Sequence, residues 1–152
     1  MRTRIARLTI VAASALLCFA SAQSSAFPGF SNRNIKGSYA GTFEGVVIKN
    51  GVAPQIAGTG VYTADGKGKF TGQESFVFDG HPCEDVAVTG TYSVNPDGSG
   101  STVLTFTSAT PGCSGSVPQK LAIADSGKLV VFVNIGSGQE VTETWRQQGL
   151  PL

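Results

Sequence analysis

Residues 60–72 read GVYTADGKGKFTG, a glycine-rich run that contains one aspartate and two lysines. Runs of this kind occur in phosphate-binding loops and in calcium-binding loops, and also at the tips of β-hairpins. A phosphate loop leads into a helix, whereas here the alternating residues of a strand follow the turn. A calcium loop needs several oxygen ligands at alternating positions, and this turn offers only Asp65. We therefore interpret residues 65–68 as a hairpin tip in which glycine supplies positive φ.

The same pattern recurs along the chain. GTYSVNPDGSGS at 90–101 again has a glycine, an aromatic residue two positions later and an Asp-Gly-x-Gly turn, and IADSGKL at 123–129 is a fainter copy. Turn signals that alternate with period-two segments predict strands, and no segment after residue 36 has the period of a helix. The predicted strands lie at 37–49, 55–64, 69–78, 85–94, 101–108, 117–124, 128–135 and 139–147.

Short connections between consecutive strands predict an all-β fold, a single antiparallel up-and-down meander of about eight strands. A sheet of this size tends to close into a small barrel, because closure removes the exposed strand edges. Glycines inside the predicted strands, such as Gly41, Gly58 and Gly90, permit the sharp coiling that a small barrel needs. We therefore predict a β-barrel domain at 37–148.

The N-terminal residues 1–22 have the layout of a secretory signal peptide. The basic segment MRTRIAR precedes the apolar run LTIVAASALLCFA, and a small-x-small cleavage site ends at Ala22. The apolar run is short for a transmembrane helix, although a retained N-terminal anchor is the alternative. We predict cleavage after Ala22, an N-terminal arm at 23–36, and an extracytoplasmic mature chain that is periplasmic or secreted.

The charge of the mature chain argues against nucleic acid as a partner. Without the three arginines of residues 1–22, eight of the eleven Lys and Arg remain against ten Asp and Glu, a formal net charge of −2. Nucleic-acid binding needs a basic patch, and no cluster of Lys or Arg follows residue 7. The outward positions of the predicted strands are rich in Thr, Ser and Lys, whereas a barrel embedded in a membrane needs an apolar outer band. We therefore predict a chain that is not membrane-embedded after cleavage.

Two of the three cysteines, Cys83 and Cys113, remain after removal of the signal peptide. An exported chain with two cysteines most often pairs them, and two separate buried thiols are the alternative. Successive turns of a meander alternate between the two barrel ends, so the third and fifth turns share one end. The two cysteines belong to those turns, and we predict a Cys83–Cys113 disulfide.

Strand alternation assigns a largely aromatic set of side chains to the inside of the barrel. An eight-stranded barrel either holds one small ligand or is filled by its own side chains. The inward aromatic face predicts a small apolar or amphipathic ligand, and a filled interior is the alternative. The candidate ligand-binding residues of the lumen are Tyr39, Phe43, Tyr62, Phe70, Glu74, Phe76, Tyr92, Phe106 and Trp145.

Two carboxylates, Glu74 and Glu143, interrupt this apolar inward face. Burial of an unpaired carboxylate is costly and raises its pKa, which makes such a group a candidate for a functional site. The alternatives are a position near the barrel mouth that reaches water, or a bulge that turns the side chain outward.

His81 is the only histidine and lies beside the predicted disulfide, with Asp79, Glu84 and Asp85 nearby. A metal-binding or acid–base role is one interpretation. A single histidine without a second strong ligand favours an ordinary loop residue. We therefore predict no metal site and no cofactor. The chain has no nucleophile elbow, zinc signature or paired-carboxylate motif, so we predict no enzymatic activity.

The chain resembles small exported bacterial barrel proteins of uncharacterised function, which carry similar Gly-x-Tyr-Thr…Asp-Gly-x-Gly hairpins. The resemblance covers most of 37–147. TADGKGKFTGQES at 63–75 is similar to an avidin-type hairpin, and Gly37-Ser38-Tyr39 with Trp145-Arg146 is similar to the lipocalin pairing of an aromatic on the first strand with an arginine on the last. Tyr39 stands where the lipocalin pattern has tryptophan, and Trp145 is the only tryptophan, whereas biotin pockets use several. The resemblance implies a barrel and an exported location, and does not imply biotin binding.

These observations predict an exported, non-enzymatic β-barrel protein that binds a small apolar or amphipathic ligand at one mouth. One alternative is a structural or interaction protein of the cell envelope, with a filled barrel and no ligand. Another is a small-barrel isomerase or cyclase. That activity requires Glu74 or Glu143 to be enclosed with a second polar group facing it.

Overall fold

The computed structural model describes residues 29–149, so the predicted signal peptide and the first residues of the arm lie outside the described part. Within it the chain forms eight strands and two short 3₁₀ turns, Asn32–Asn34 and Asp125–Gly127. The strands are β1 Lys36–Val47, β2 Gln55–Asp65, β3 Lys69–Phe78, β4 His81–Val94, β5 Ser99–Thr107, β6 Gly115–Ala124, β7 Leu129–Asn134 and β8 Gln139–Gln147. No helix among residues 29–149 is long and apolar enough to cross a membrane.

The eight strands form one closed barrel in which each strand is antiparallel to the next. The barrel closes where β1 pairs with β8, from Tyr39 opposite Gln147 to Val47 opposite Gln139. The predicted all-β, up-and-down barrel is therefore confirmed. Closure leaves no edge strand in the sheet, because β1 and β8, which would be its two edges, pair with each other.

The glycine-rich stretch forms the predicted hairpin tip between β2 and β3. The carboxylate of Asp65 accepts hydrogen bonds from the backbone N–H groups of Lys67 and Lys69, at 2.7 and 3.0 Å. The bonds from the N–H groups of Lys69 and Lys67 hold the pKa of this exposed carboxylate below its usual range. At the sequence copy, Asp97 likewise accepts from the backbone N–H of Ser99, at 2.9 Å. The repeated sequence therefore encodes a repeated turn in which aspartate caps free N–H groups.

Strand β4 begins earlier than the sequence predicted, at His81 rather than at residue 85. The register between β3 and β4 shifts at this point, and Asp85 has a φ of +53° while its N–H bonds the hydroxyl of Ser75. This bulge lets the strand continue through an irregular segment and leaves both Cys83 and Val86 buried. Cys83 therefore lies in the strand and not in the preceding turn.

The predicted disulfide between Cys83 and Cys113 is confirmed, with a Cα–Cα distance of 5.7 Å. It joins the bulged start of β4 to the connection between β5 and β6. Both cysteines are buried. A buried disulfide fits an extracytoplasmic protein, because such bonds persist in oxidising compartments.

The interior divides into two parts, which we call the closed half and the open half. The closed half is the larger buried cluster: Ile35, Tyr39, Tyr62, Ala64, Phe70, Val88, Tyr92, Leu104, Leu121, Val130, Phe132 and Trp145. The open half contains Phe76, Cys83, Val86 and Cys113, with the half-buried Phe43, Ile56, Phe78 and Phe106 packed against them.

The chain before β1 seals the end of the closed half. Ile35 is buried in this half, and its carbonyl accepts a hydrogen bond of 2.6 Å from the hydroxyl of Tyr92. The side chain of Asn32 accepts another from the backbone N–H of Val94, at 2.9 Å. Residues 30–35, part of the segment predicted as an arm, therefore act as a plug.

Inward glycines give the aromatic rings of the closed half their space. An ideal Cβ built at Gly41 would lie 2.7 Å from the side chains of both Trp145 and Tyr62, and one at Gly90 would collide with the ring of Phe70. These glycines therefore have a packing role in addition to the coiling that the sequence predicted.

Candidate functional site

The open half contains a cavity of about 170 Å³. Its walls are mostly apolar side chains. Of the polar side chains that also line it, Glu74 and Glu143 contact Tyr62 of the closed half, whereas Asn134 and Gln139 lie at the end of β7 and the start of β8, beside the connection between these strands. Apolar wall residues include Phe43, Ile56, Phe76, Phe78, Phe106 and Val141, and the polar group is Glu74, Gln119, Asn134, Gln139 and Glu143. An apolar protein cavity of about 150 Å³ can hold one benzene ring, so this space suits a small ring or a short chain.

The strand register and the absence of a side chain at Gly60 bring Glu74 and Glu143 to the hydroxyl of Tyr62, at the boundary between the two halves. Glu74 lies opposite Gly60 in the β2–β3 ladder, and Glu143 lies opposite Phe43 in the β1–β8 ladder. An ideal Cβ at Gly60 would lie 2.6 Å from the hydroxyl oxygen of Tyr62 and 2.8 Å from Cγ of Glu74. The missing side chain at Gly60 therefore leaves the space in which the tyrosine hydroxyl meets the carboxyl group.

The hydroxyl of Tyr62 bridges the two carboxyl groups. Its oxygen lies 2.7 Å from Oε1 of Glu74 and 2.7 Å from Oε1 of Glu143. A tyrosine hydroxyl has one proton, so it can donate to one carboxyl group and must accept from the other. Satisfying both contacts therefore requires at least one of the two carboxyl groups to be protonated.

The other hydrogen bonds distinguish the two carboxyl groups. Glu143 also accepts from the indole N–H of Trp145 and, at 3.0 Å, from the amide of Gln119. Donors of this kind stabilise a carboxylate, so we place the negative charge on Glu143 and the proton on Glu74. The arrangement is then a relay in which Glu74 donates to Tyr62 and Tyr62 donates to Glu143.

Burial raises the pKa of both carboxyl groups. For Glu74, burial and then the charge of Glu143 raise the pKa to about 7, against the opposing effect of the hydrogen bond with Tyr62. For Glu143, burial raises the pKa while the donors Trp145, Gln119 and Tyr62 oppose the rise. Burial likewise raises the pKa of Tyr62, which keeps its hydroxyl protonated. Because both carboxyl groups contact the hydroxyl of Tyr62, they titrate as a coupled pair.

Glu74 is the carboxyl group with an oxygen open to the cavity. Its side chain is 5% exposed and lines the cavity, and the hydrogen bond described above involves Oε1. Among residues 29–149, Thr102 Oγ1 is the only fully enclosed side-chain polar atom without a partner. Oε2 of Glu74, for which the described residues provide no donor, is therefore not enclosed by protein and faces the cavity.

The structure divides the candidate lumen residues between the two halves. Four of them line the cavity: Phe43, Glu74, Phe76 and Phe106. The other five pack in the closed half and do not line the cavity: Tyr39, Tyr62, Phe70, Tyr92 and Trp145. The rings of Tyr62 and Trp145 stack with centroids 4.1 Å apart, and Phe70 meets Trp145 edge-on at 4.9 Å. Tyr62 and Trp145 reach the site through their hydrogen bonds to the carboxyl groups.

Three amides complete the polar part of the cavity and were not among the candidates. The amide of Gln119 donates to Oδ1 of Asn134 at 2.9 Å, and Asn134 donates to Gln139 at 3.4 Å. Gln119 and Asn134 were detectable in principle, because they alternate with the inward residues Leu121 and Phe132. A polar residue on an apolar face is the same signal that identified Glu74.

His81 is exposed at the first position of β4 and does not line the cavity. In the part of the chain that the structure describes, no group of three or more His, Cys, Asp or Glu side chains is arranged to hold a metal ion.

Searches of protein-family models, curated proteins and solved structures found no match to this chain. Its function is therefore inferred from its own residues.

Proposed function

We propose that this protein is an exported, non-enzymatic binding protein that holds a small amphipathic ligand in the open half of its barrel. The observation that carries the proposal is the cavity of about 170 Å³, which has aromatic walls and the carboxyl pair Glu74 and Glu143 at its border with the closed half. Pockets with mostly apolar walls and a few convergent polar groups are typical of small-molecule sites.

The rim of the open half supports this proposal. Ile48 lies in the connection after β1 and Ile135 in the connection after β7, and both are exposed. The two connections are joined, since the N–H of Ile48 donates to the carbonyl of Gly138. Val52, in the same connection as Ile48, is also exposed. An apolar ligand would meet these side chains before it reached the cavity walls.

The disulfide supports both the site and the exported location. Cys113 lies between Gly112 and Ser114, two residues that line the cavity. Its bond to Cys83 therefore fixes one wall of the cavity to the barrel. The signal-peptide pattern of residues 1–22 and this disulfide together favour a periplasmic or secreted chain.

Two other functions deserve comparison with ligand binding. The filled closed half favours a structural or interaction protein of the cell envelope, but such a protein has no need of the cavity.

The enclosed carboxyl pair with Tyr62 meets the requirement stated above for an isomerase or cyclase. A reaction that uses one group as acid and another as base needs both groups within reach of the substrate. Both oxygens of Glu143 accept hydrogen bonds from the protein, and only Glu74 has an oxygen open to the cavity. Binding without chemistry is therefore the better proposal.

Native mass spectrometry of protein recovered from a bacterial periplasm tests the proposal for a retained ligand.

Ligand-observed NMR with benzyl alcohol, a neutral probe, tests whether the purified chain binds in the cavity. V117W fills the cavity, because Val117 lines it, whereas V103W places the same side chain on the exposed outer face of β5. We expect benzyl alcohol to bind the natural chain and V103W, and V117W to lose binding. Equal binding to V117W and V103W would contradict the proposed site.

A further inference from the structure

We infer that the polar end of the ligand is a protonated amine, which binds at Oε2 of Glu74 and releases the proton held by the carboxyl pair. This inference rests on the proposed function, because it names the ligand class of the same cavity. It follows from the charges that line the cavity, the position of Glu74 and the aromatic walls.

The cavity lining is acidic and lacks a positive charge. Glu74 and Glu143 both contribute to it, and no Lys, Arg or His is among the described residues that line it. A fatty acid or another anionic amphiphile would bring a further negative charge into an apolar space without a cation to pair with it, which is costly. The charge of the site therefore excludes the carboxylate-headed class of amphipathic ligands.

Glu74 supplies a charge partner that no protein group uses. It is 5% exposed, and Oε2 faces the cavity without a donor from the described residues. A buried carboxyl group in this position either keeps its proton or receives a positive charge from outside. An ammonium group provides that charge together with three N–H donors.

The walls suit the rest of such a ligand. Phe43, Phe76 and Phe106 surround the cavity, and the ring centroids of Phe76 and Phe106 are 6.1 Å apart. Aromatic side chains attract a cation when it lies over a ring face, and they pack against the apolar body of an amphiphile. A small aromatic or alkyl ammonium ion satisfies both parts of the site.

The proton balance makes the inference measurable. The ligand enters as an ammonium ion, the O–H bond of Glu74 breaks, and its proton goes to the buffer. The hydrogen bond that Glu74 donated to Tyr62 is then lost, Tyr62 keeps its bond to Glu143, and the ammonium N–H groups bond the Glu74 carboxylate instead. The charged or titratable side chains around Glu74 are Glu143 from β8 and Tyr62 from β2. The other strands that line the cavity present apolar residues, small polar residues or amides. Because Glu74 has a pKa near 7, affinity for the cation rises with pH up to about that value.

The experiment is isothermal titration calorimetry with three probes that share one apolar body: benzylamine, benzyl alcohol and phenylacetate. We expect benzylamine to bind at least about tenfold more tightly than the other two near neutral pH. Its affinity should fall about 10- to 30-fold between about pH 7.5 and about pH 5.5. Titrations of benzylamine in two buffers of different ionisation enthalpy should show release of up to about one proton.

Two matched variants assign the effect to Glu74. E74Q keeps the shape and the contact to Tyr62 but removes the charge, whereas E44Q changes an exposed glutamate on the outer face of β1. E74Q should lose the preference for benzylamine and its pH dependence while it keeps affinity for benzyl alcohol. E44Q should behave as the natural chain.

The outcomes separate the two proposals. Binding of benzyl alcohol that equals or exceeds that of benzylamine, or tight binding of phenylacetate, would overturn the inference and leave the proposed function standing. A benzylamine preference that persists in E74Q would also overturn it. If none of the three probes binds, both this inference and the proposed function fail.

Discussion

The same strands form a filled interior at one end of the barrel and a cavity at the other, and β3 illustrates the difference. Phe70, in the closed half, contacts the rings of Tyr62, Tyr92 and Trp145. Phe76, six positions along the strand in the open half, meets only the rings of Phe43 and Phe106 among the described residues, with centroids 6.0 and 6.1 Å away. Substitutions of aromatic residues in the closed half should therefore lower the stability of the fold, and substitutions of aromatic residues in the open half should chiefly change ligand binding.

The boundary between the halves joins these two roles. Tyr62 and Trp145 are packed in the closed half, yet Tyr62 is hydrogen-bonded to both carboxyl groups that line the cavity and Trp145 donates to Glu143. The packed aromatic rings thereby hold Glu74 and Glu143 in position. A rigid support of this kind is what a binding site needs to keep a charged group oriented in an apolar space.

The largest effect is expected for W145A, which removes the centre of the closed half. Trp145 is 1% exposed, and its ring contacts those of Tyr39, Tyr62, Phe70 and Phe132. Replacing a buried tryptophan with alanine costs about 3–5 kcal/mol, and here Glu143 also loses a hydrogen-bond donor. Urea unfolding measures the loss. A loss below about 1 kcal/mol would contradict the role assigned to this half.

Removal of the disulfide with the double variant C83S/C113S should have the next largest effect. The bond closes a segment of 30 residues, which corresponds to about 3–4 kcal/mol in the chain-entropy model. Thermal unfolding of the natural chain and of the double variant, with and without reductant, measures the difference. Reductant should destabilise only the natural chain. Because Cys113 holds one cavity wall, the double variant should also bind benzyl alcohol more weakly, and unchanged binding would contradict this.

The contribution of Glu74 to the free energy of unfolding should fall as pH rises. Its pKa is about 7 in the folded chain against an ordinary value of 4.5, so the folded state binds the proton more tightly. The resulting stability is fully present below about pH 4.5 and is lost as pH rises through 7. The change is on the order of 3 kcal/mol.

Chemical unfolding of E74Q, E44Q and the natural chain at several pH values checks this prediction. E74Q should flatten the decline between about pH 4.5 and pH 7 and should be more stable than the natural chain above neutral pH. E44Q should retain the decline. A natural chain whose stability rises across this window would show that Glu74 is not buried as a protonated group.

The smallest effect on stability is expected for F106A in the open half. Phe106 is half-buried and borders the cavity, so its removal enlarges an existing space and should cost about 1–2 kcal/mol. The affinity of the F106A variant for benzyl alcohol should fall, because the variant loses part of the cavity wall. Urea unfolding and ligand-observed NMR measure the two quantities. A loss of stability as large as that of W145A would remove the distinction between the two halves.

Turn residues and alternation in the sequence predicted most of the barrel. The position of each side chain along the barrel axis could be read only from the structure. Alternation showed that Glu74 and Glu143 face inward, and the turns placed both cysteines at one end. Alternation did not show that Tyr62 lies between the two carboxyl groups. A period of two residues tells which face of the sheet a side chain is on, but not its position along the barrel axis. The early start of β4 was missed for a related reason, since a bulge interrupts the alternation at Asp85.

The amino-acid sequence by itself determined the strand number, the meander, the disulfide and the inward position of the two carboxyl groups. These follow from local chemistry, in which glycine and aspartate make turns and alternating residues make two-faced strands. Only the tertiary structure decided which end of the barrel is filled and which retains a cavity. That choice depends on the stagger of strands around the closed sheet, which brings aromatic rings of several strands against Trp145 in one half and leaves Phe43, Phe76 and Phe106 around open space in the other.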